Sequence, residues 1–274
     1  MLGGTKMSAQ PSYFQKEIVS SALPLWRESL TAVDWLALRY APVYYGVGVP
    51  RGDGSAVVLV PGFMADDYYL LEMFYWLQRI GYKPYLSRIG RNVNCLDVSL
   101  ERLLNTVERA QRQTGKKVHV IGHSLGGVLA RSLTGLRPDL IASVITLASP
   151  FRGISSHQFV AKAAEKVRER ILKEGSNAGK NPNCFTNACS CSAASSLRGG
   201  LNSAVPRTAI YTKTDGVVDW HFCINNNPAN NFEVIGTHIG LAFNPFVYQL
   251  IGTRLDWARH QAEGPHPVQP KKAS

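Results

Sequence analysis

A serine between two glycines is the feature of this 274-residue sequence that most directly suggests chemistry. The motif GHSLG, residues 122–126, follows the apolar run KKVHVIG and opens the helix-like run LGGVLARSLTGL. A sharp turn from a strand into a helix exposes a serine hydroxyl, and the helix N-terminus directs N–H groups at charge that forms beside it. Small residues would also suit a tight turn without a catalytic role, so the motif alone leaves both interpretations open.

A serine hydroxyl is a weak nucleophile unless a histidine, itself oriented by a carboxylate, accepts its proton. His238 follows the last short strand and precedes the final helix, and Asp215 comes just after the strand residues AIYTKT. We therefore predict Ser124 as nucleophile, Asp215 as acid and His238 as base. His123, beside the serine, is not expected to be the base. Competing candidates are Asp219 for the acid and, for the base, His221 above all, then His157, His260 and His266.

Attack on a carbonyl group places negative charge on its oxygen, and two N–H donors aimed at one point can stabilise that charge. The residue after the nucleophile, Leu125, is expected to supply one backbone N–H. The loop VPGFMADD, after the first apolar strand, is expected to supply the other from Phe63 or, as second choice, Met64. This chemistry requires neither a metal nor an organic cofactor, and we predict none.

The elements that must position these residues alternate between strands and helices through residue 150, which favours an α/β class with a mostly parallel sheet covered on both faces. The alternation resumes after residue 205 with the strands RTAIYT and FEVIG and the closing helix NPFVYQLIGTRLDWARH. We predict one domain over residues 13–261, between a disordered N-terminus at 1–12 and a disordered tail at 262–274.

Residues 151–205 interrupt the alternation and are predicted to form a lid or cap at the carboxyl edge of the sheet, where such sheets bind ligands. The insertion begins with the helix SSHQFVAKAAEKVRERILKEG, and the following SNAGKNPNCFTNACSCSAASSLRGG is predicted to be a long loop. The helix has a narrow apolar stripe that suits a position over a cleft or a lipid surface. Ordinary packing on the domain is an equal alternative.

The odd number of cysteines leaves at least one without an intramolecular disulfide. Their density in CFTNACSC is compatible with free thiols, with one or two disulfides, or with a metal site, although no CxxC pair typical of structural zinc is present. Disulfides would indicate an oxidising compartment. The five residues are Cys95, Cys184, Cys189, Cys191 and Cys223.

The formal net charge of +11 indicates a basic surface, which is compatible with peripheral contact with an anionic membrane. The Lys and Arg residues are scattered and no zinc-finger or RNA-binding signature is present, so nucleic acid is not an expected partner. No apolar run approaches the roughly 20 residues that span a bilayer, and the first residues contain no apolar signal segment. A cytoplasmic location is the resulting prediction, and the oligomeric state stays open.

Four segments, VLVPGF, VIGHSLGG, YTKTDGVVDW and GTHIGLAFNP, occur in an order that resembles the α/β-hydrolase superfamily, specifically its bacterial triacylglycerol lipase and esterase-like branch. The resemblance covers about residues 55–258. It implies the order nucleophile, acid, base for Ser124, Asp215 and His238, with Phe63 and Leu125 in the oxyanion hole. The implied activity is hydrolysis of lipid-like or other apolar acyl esters through an acyl-enzyme. An acyltransferase with the same triad and a non-catalytic binding module are the alternatives.

The chain departs from the pattern of many lipases at two places. Pro61-Gly62 stands where many lipases have His-Gly, which leaves the backbone donors in place but removes a side chain that often braces this loop. The insertion with three cysteines is not a general lipase feature. The resemblance therefore leaves the substrate range open, and the acyl-chain preference most of all.

Overall fold

Six short strands form the centre of the molecule. The computed structural model describes residues 25–153, 156–174, 183–186, 188–200 and 204–263. The strands lie in one sheet in the order β2-β1-β3-β4-β5-β6, and all five neighbouring pairs are parallel. Their bounds are β1 Ala56–Val60, β2 Lys83–Leu86, β3 Val118–His123, β4 Ile141–Leu147, β5 Arg207–Tyr211 and β6 Asn231–Glu233. The predicted α/β class with a mostly parallel sheet is confirmed.

Helices cover both faces of the sheet because the strands are apolar on both faces. Successive residues of a strand point to opposite faces. Val57 and Leu59 of β1 accordingly belong to one core, and Val58 and Val60 belong to the other. The first core packs against α1 (Thr31–Tyr40), α2 (Leu71–Arg79) and α7 (Pro245–Glu263). The second core packs against α3 (Leu96–Thr114), α4 (Leu125–Leu136) and α6 (Ser192–Gly200).

The remaining helical elements lie between or before these. α5 spans Gln158–Glu174 in the inserted segment, as the sequence predicted for most of that stretch. Short 3-10 helices occupy Leu25–Leu30, Pro42–Tyr45, Asp67–Leu70, Trp220–Cys223, Pro228–Asn230 and Gly240–Phe243. Among the residues that the structure describes, no helix combines the length and apolar character needed to cross a bilayer.

The prediction of a long loop after α5 is wrong for residues 192–200, which form α6. The first N–H groups of a helix need acceptors from outside it. The Asp97 carboxylate, 95 residues earlier, accepts the backbone N–H of Ser192 at 3.2 Å and that of Ala193 at 2.7 Å. Ala193 and Leu197 are buried. This segment is rich in Ser and Gly. It forms a helix because Asp97, from a distant part of the chain, caps its N-terminus and because its short apolar stripe is buried.

The predictions for the two ends of the chain can be compared with the structure only in part. The predicted disordered segment 1–12 lies outside the described residues, as do residues 264–274 of the predicted tail. α7 continues through Ala262 and Glu263, where the tail was predicted to begin. The first described residues, Leu25–Leu30, form a 3-10 helix that leads into α1.

The cysteines are buried thiols, and four of them lie together. The Cys184 side chain is hydrogen-bonded to those of Cys95 and Cys189, and Cys189 is in turn hydrogen-bonded to Cys191. Within the described parts of the chain, no group of three or more His, Cys, Asp or Glu side chains is arranged to hold a metal ion. Cys223 lies elsewhere, with its Sγ 3.8 Å from the Asp219 carbonyl oxygen.

Candidate active site

Three buried polar side chains lie at the carboxyl edge of the sheet. Ser124 directly follows β3, Asp215 follows β5, and His238 follows β6. The carboxyl ends of parallel strands share one edge, which is where open sheets of this type bind ligands. The exposed fractions are 8% for Ser124, 5% for Asp215 and 4% for His238, so water has little access to any of them.

The turn that carries Ser124 has a strained backbone. Ser124 has φ 52° and ψ −123°, a conformation that side-chain-bearing residues rarely adopt and that recurs at functional sites. Its N–H donates to the Leu147 carbonyl oxygen at 2.8 Å, which fixes the turn to β4. A Cβ atom on Gly122 would lie 2.4 Å from the Gly126 carbonyl oxygen. The glycines are therefore required by close packing between the strand and the helix.

Gly126→Ala is expected to destabilise the protein by about 1–3 kcal/mol, the usual cost of an overpacked core. The added methyl group would lie 2.2 Å from the Val60 carbonyl oxygen and 2.5 Å from that of Pro61, and neither backbone atom can rotate away. The free energy of unfolding from urea titration measures this. Gly135→Ala, on an exposed position of the same helix, is the control and should leave stability unchanged or raise it. Equal urea midpoints for Gly126→Ala and wild type would contradict the packing argument.

The Asp215 carboxylate is oriented toward His238. Its Oδ1 accepts the backbone N–H groups of Val217 and Val218, both at 2.8 Å. Its Oδ2 lies 2.8 Å from His238 Nδ1, which donates to it. Because Nδ1 carries the proton in this arrangement, Nε2 of the neutral ring is left as an acceptor, as a general base requires.

Two opposing effects set the proton affinity of His238. Burial lowers the pKa of the imidazole, but the charge and hydrogen bond of Asp215, followed by the charge of Glu28, raise it above its ordinary value. The two carboxylates thus stabilise the imidazolium form of His238 relative to its neutral form. The free base is present above this raised pKa.

The competing candidates for the acid and the base make contacts with other residues. The Asp219 carboxylate caps the 3-10 helix at Trp220–Cys223 through the His221 N–H at 3.0 Å, and it also contacts His221 Nδ1 at 2.7 Å. His157 stacks on Phe159, and His260 Nδ1 donates to the Asp256 carbonyl oxygen. His266 lies outside the described residues. The structure therefore brings Asp215, and not Asp219, to His238.

The backbone of the His238 loop is held by groups that the sequence did not single out. The half-buried Glu28 carboxylate accepts the N–H of His238 at 3.1 Å and that of Ile239 at 2.9 Å. The Tyr69 hydroxyl donates to the Ile239 carbonyl oxygen at 2.7 Å. No local pattern could reveal the role of Glu28, because 210 residues separate it from His238.

Glu28→Gln is expected to lower kcat/KM for an ester roughly tenfold, because an amide can match only one of two charge-assisted hydrogen bonds. Loss of the negative charge should also lower the pKa of His238 and move the acidic limb of the pH–kcat/KM profile to lower pH. Glu101→Gln, an exposed residue of α3, removes the same charge away from the site and should change neither quantity. An unchanged acidic limb in Glu28→Gln would refute an electrostatic role for this carboxylate.

His123 links the nucleophile turn to the His238 loop. Its Nε2–H donates to the His238 carbonyl oxygen at 2.9 Å. Burial, followed by the proximity of His238, lowers the pKa of His123 to about 3. His123 is therefore a neutral donor, and it adds no positive charge beside His238.

The two expected oxyanion donors lie on loops that touch each other. Leu125 is the first residue of α4, a position whose N–H has no acceptor within the helix. A Cβ atom on Gly62 would lie 3.2 Å from Ser124 Cβ, so the Phe63 loop passes directly beside the nucleophile. The Met64 N–H donates to the Asn92 carbonyl oxygen at 3.1 Å. Because the Met64 N–H is already hydrogen-bonded, the Phe63 N–H is the better candidate for the second oxyanion donor.

Asn92 braces the loop that carries Phe63. The fully buried Asn92 side chain donates from Nδ2 to the Pro61 carbonyl oxygen at 2.9 Å. Its backbone N–H donates to the Ala65 carbonyl oxygen at 2.9 Å. The sequence contains no motif that marks Asn92, which the chain brings in from the segment after β2.

A cavity of about 120 Å³ opens beside Ser124. Helices α4, α5 and α6 all contribute to its wall, so the inserted segment forms part of the site. The walls are mainly apolar, and they include Leu125, Val128, Val160, Ala164, Phe185 and Leu197.

Known proteins are similar in sequence to part of this chain. The family described as the PGAP1-like alpha/beta domain matches residues 87–217. A triacylglycerol lipase of Pseudarthrobacter phenanthrenivorans is 34% identical over 113 residues, which are 38% of this chain and 35% of that protein. One from Burkholderia plantarii is also 34% identical over 113 residues, 38% of this chain and 32% of its own length.

Solved structures extend the similarity to most of the chain. A structure from a study of the metagenome-derived lipolytic enzymes LipS and LipT has a TM-score of 0.53 at 13% identity, and it covers 77% of this chain and 96% of its own. Identity this low shows the fold alone. The matched segments of the two lipases span only about a third of those proteins. This chain therefore has the fold of these lipolytic enzymes, and its residues 87–217 are similar to the PGAP1-like alpha/beta domain family.

Proposed function

We propose that this chain is a serine carboxylic-ester hydrolase that acts on esters with an apolar acyl group. The observation that supports it best is the buried Asp215–His238 pair, with its 2.8 Å hydrogen bond, at the sheet edge where Ser124 occupies a strained turn. The similarity to bacterial triacylglycerol lipases supports the same reaction class.

In the proposed first half-reaction, Ser124 Oγ attacks the ester carbonyl carbon while His238 Nε2 accepts the hydroxyl proton. The C–O π bond gives its electron pair to oxygen, and the N–H groups of Phe63 and Leu125 stabilise that oxyanion. His238 then protonates the departing alcohol as the tetrahedral intermediate collapses to an acyl-enzyme. Asp215 keeps the imidazole in the required tautomer throughout.

In the second half-reaction, His238 removes a proton from water, which attacks the acyl-enzyme through the same oxyanion arrangement. Collapse of this intermediate returns the proton to Ser124 and releases the carboxylic acid.

The cavity beside Ser124 supports a preference for short acyl chains. Its 120 Å³ equals roughly four times the volume that a water molecule occupies in the liquid, which is about 30 Å³. An acyl chain of about four carbons would therefore fill it. We also propose that residues 151–205 form a cap within the single domain of residues 13–261, because Val160 and Ala164 of α5 lie on the cavity wall.

A panel of p-nitrophenyl esters, together with labelling by a serine-reactive fluorophosphonate, tests this function. We expect labelling, and a kcat/KM for the butyrate at least tenfold above that for the palmitate. Ala164→Phe should narrow the cavity and reduce butyrate hydrolysis while sparing the acetate, whereas Ala161→Phe, exposed on the same helix, is the control. Absence of both labelling and turnover would reject the function. A palmitate preference would reject the acyl-length assignment alone.

A further inference from the structure

An arginine that the proposed reaction does not use lies buried in α4. Arg131 is 2% exposed, and it borders a second cavity, of about 160 Å³. It follows Ser124 by seven residues, which corresponds to about 10 Å along a helix axis. The described linings of the two cavities have no residue in common, so the second cavity is separate from the one beside Ser124.

Only part of the Arg131 guanidinium is hydrogen-bonded. Its Nη2 donates to Asn225 Oδ1 at 2.6 Å, and its carbon lies 3.9 Å from the centre of the Phe151 ring. Its Nε and Nη1 have no hydrogen-bond partner within the described parts of the chain. A buried charge with unmatched donors is costly unless a counter-charge accompanies it.

The hydrogen-bond partner of Arg131 is the Asn225 side chain, which is neutral and fixed in orientation. Asn225 Nδ2 donates to the Asn230 carbonyl oxygen at 3.1 Å, so its Oδ1 faces the guanidinium. The Asn225 backbone is held on both sides by the Asn231 side chain, at 2.7 and 2.9 Å. The loop therefore presents an amide oxygen to Arg131 where a carboxylate would have neutralised it.

The rest of the cavity wall adds positive charge. Arg152 and Arg207 line it together with Asn225, Asn226, Asn227 and Asn230, and its described lining contains no Asp or Glu. Burial, followed by the charge of Arg207, lowers the pKa of Arg131 to about 9. The buried Arg131 charge, which has two unmatched donors and no carboxylate in the described lining of this cavity, thus calls for an anion.

We propose that this cavity binds a small tetrahedral oxyanion of the phosphate class, with Arg131 as its central ligand. Phosphate oxygens accept several hydrogen bonds at once, and guanidinium groups recognise them well. The volume of 160 Å³ is about five times that of a water molecule in the liquid, enough for such an ion and ordered water. The site is independent of ester hydrolysis.

Thermal unfolding and calorimetric titration of the whole chain in a buffer free of phosphate and sulfate test this site. Sodium phosphate is expected to raise Tm by several degrees above sodium chloride of equal ionic strength, with saturation in the millimolar range. sn-Glycerol 3-phosphate, run in parallel, distinguishes a phosphorylated headgroup from the free ion. Ser124→Ala should respond as wild type does.

Two substitutions decide the assignment. Arg131→Met is expected to weaken phosphate binding at least tenfold, and Asn225→Asp should do the same while raising Tm without phosphate, because a carboxylate then neutralises Arg131 internally. Arg112→Gln removes the same charge from an exposed position of α3 and should keep the wild-type response. If Arg131→Met fails to fold, Asn225→Asp decides alone. No phosphate-specific rise in wild type, or an undiminished rise in Asn225→Asp, would overturn the proposal.

Discussion

Ser124→Ala is expected to lower kcat for p-nitrophenyl butyrate by about four to six orders of magnitude, the range seen when a serine nucleophile is removed. The loss should be this large because the proposed reaction uses no other nucleophile, and the nearby Ser149 hydroxyl donates to the Leu147 carbonyl oxygen at 3.1 Å. The Tm should change little, because alanine removes only the oxygen atom. Fluorophosphonate labelling should disappear together with turnover.

Ser132→Ala provides the matched control for this experiment. Ser132 is also on α4 and lines the same cavity, but its hydroxyl donates to the Val128 carbonyl oxygen at 3.0 Å. We expect it to retain most of the activity and all of the labelling. Turnover that survives Ser124→Ala, or that depends on Ser132, would remove Ser124 from the role of nucleophile.

Asp215→Asn is expected to lower kcat by about four orders of magnitude with little change in structure. Asparagine Oδ1 can still accept the N–H groups of Val217 and Val218, so its Nδ2 would then face His238. That amide donates, which forces the proton of the neutral imidazole from Nδ1 to Nε2. A ring protonated at Nε2 cannot accept the Ser124 proton.

The pH profile gives this substitution a second readout. Loss of the carboxylate should lower the pKa of His238, because burial then acts without its largest opposing effects. In wild type the folded-state pKa is raised, so the Asp215–His238 pair contributes its full stability below about pH 6.5 and loses that contribution as pH rises through the folded-state pKa. Asp215→Asn should therefore flatten the dependence of Tm on pH in that window.

Asp219→Asn is the control for Asp215→Asn, because Asp219 was the competing candidate and is oriented toward His221 at the surface. It should leave kcat within about threefold of wild type, since exposed pairs of this kind contribute little. A large loss in Asp219→Asn together with a small one in Asp215→Asn would reverse the assignment of the acid.

The parts of the fold that could be predicted from the sequence are those in which local pattern and tertiary contact agree. The run at Val57–Val60 is apolar at every position, and a strand buried on both faces needs nothing else. Gly115 ends α3 in a left-handed conformation, φ 69°, which is the usual conformation of a glycine directly after a helix. The turn at Ser124 could also be predicted, because such a turn requires the glycines that surround this residue.

The parts that could not be predicted depend on contacts between distant residues. α6 forms because Asp97 caps it, and the acid and base candidates could be ranked only by their place after a strand. Glu28 and Asn92 hold the two loops of the candidate site, yet each is an ordinary polar residue in its own surroundings. Their roles follow from the fold and not from any local motif.

The hydrogen bonds from Glu28 to the His238 loop have a kinetic consequence. They join residues 210 positions apart, so the loop they close comprises about three quarters of the 274-residue chain. Contacts of such long range form slowly, because the chain entropy of closure must be overcome before they contribute. During refolding, helical circular dichroism should therefore return before esterase activity. During synthesis, the nucleophile turn leaves the ribosome more than a hundred residues before the base that it needs.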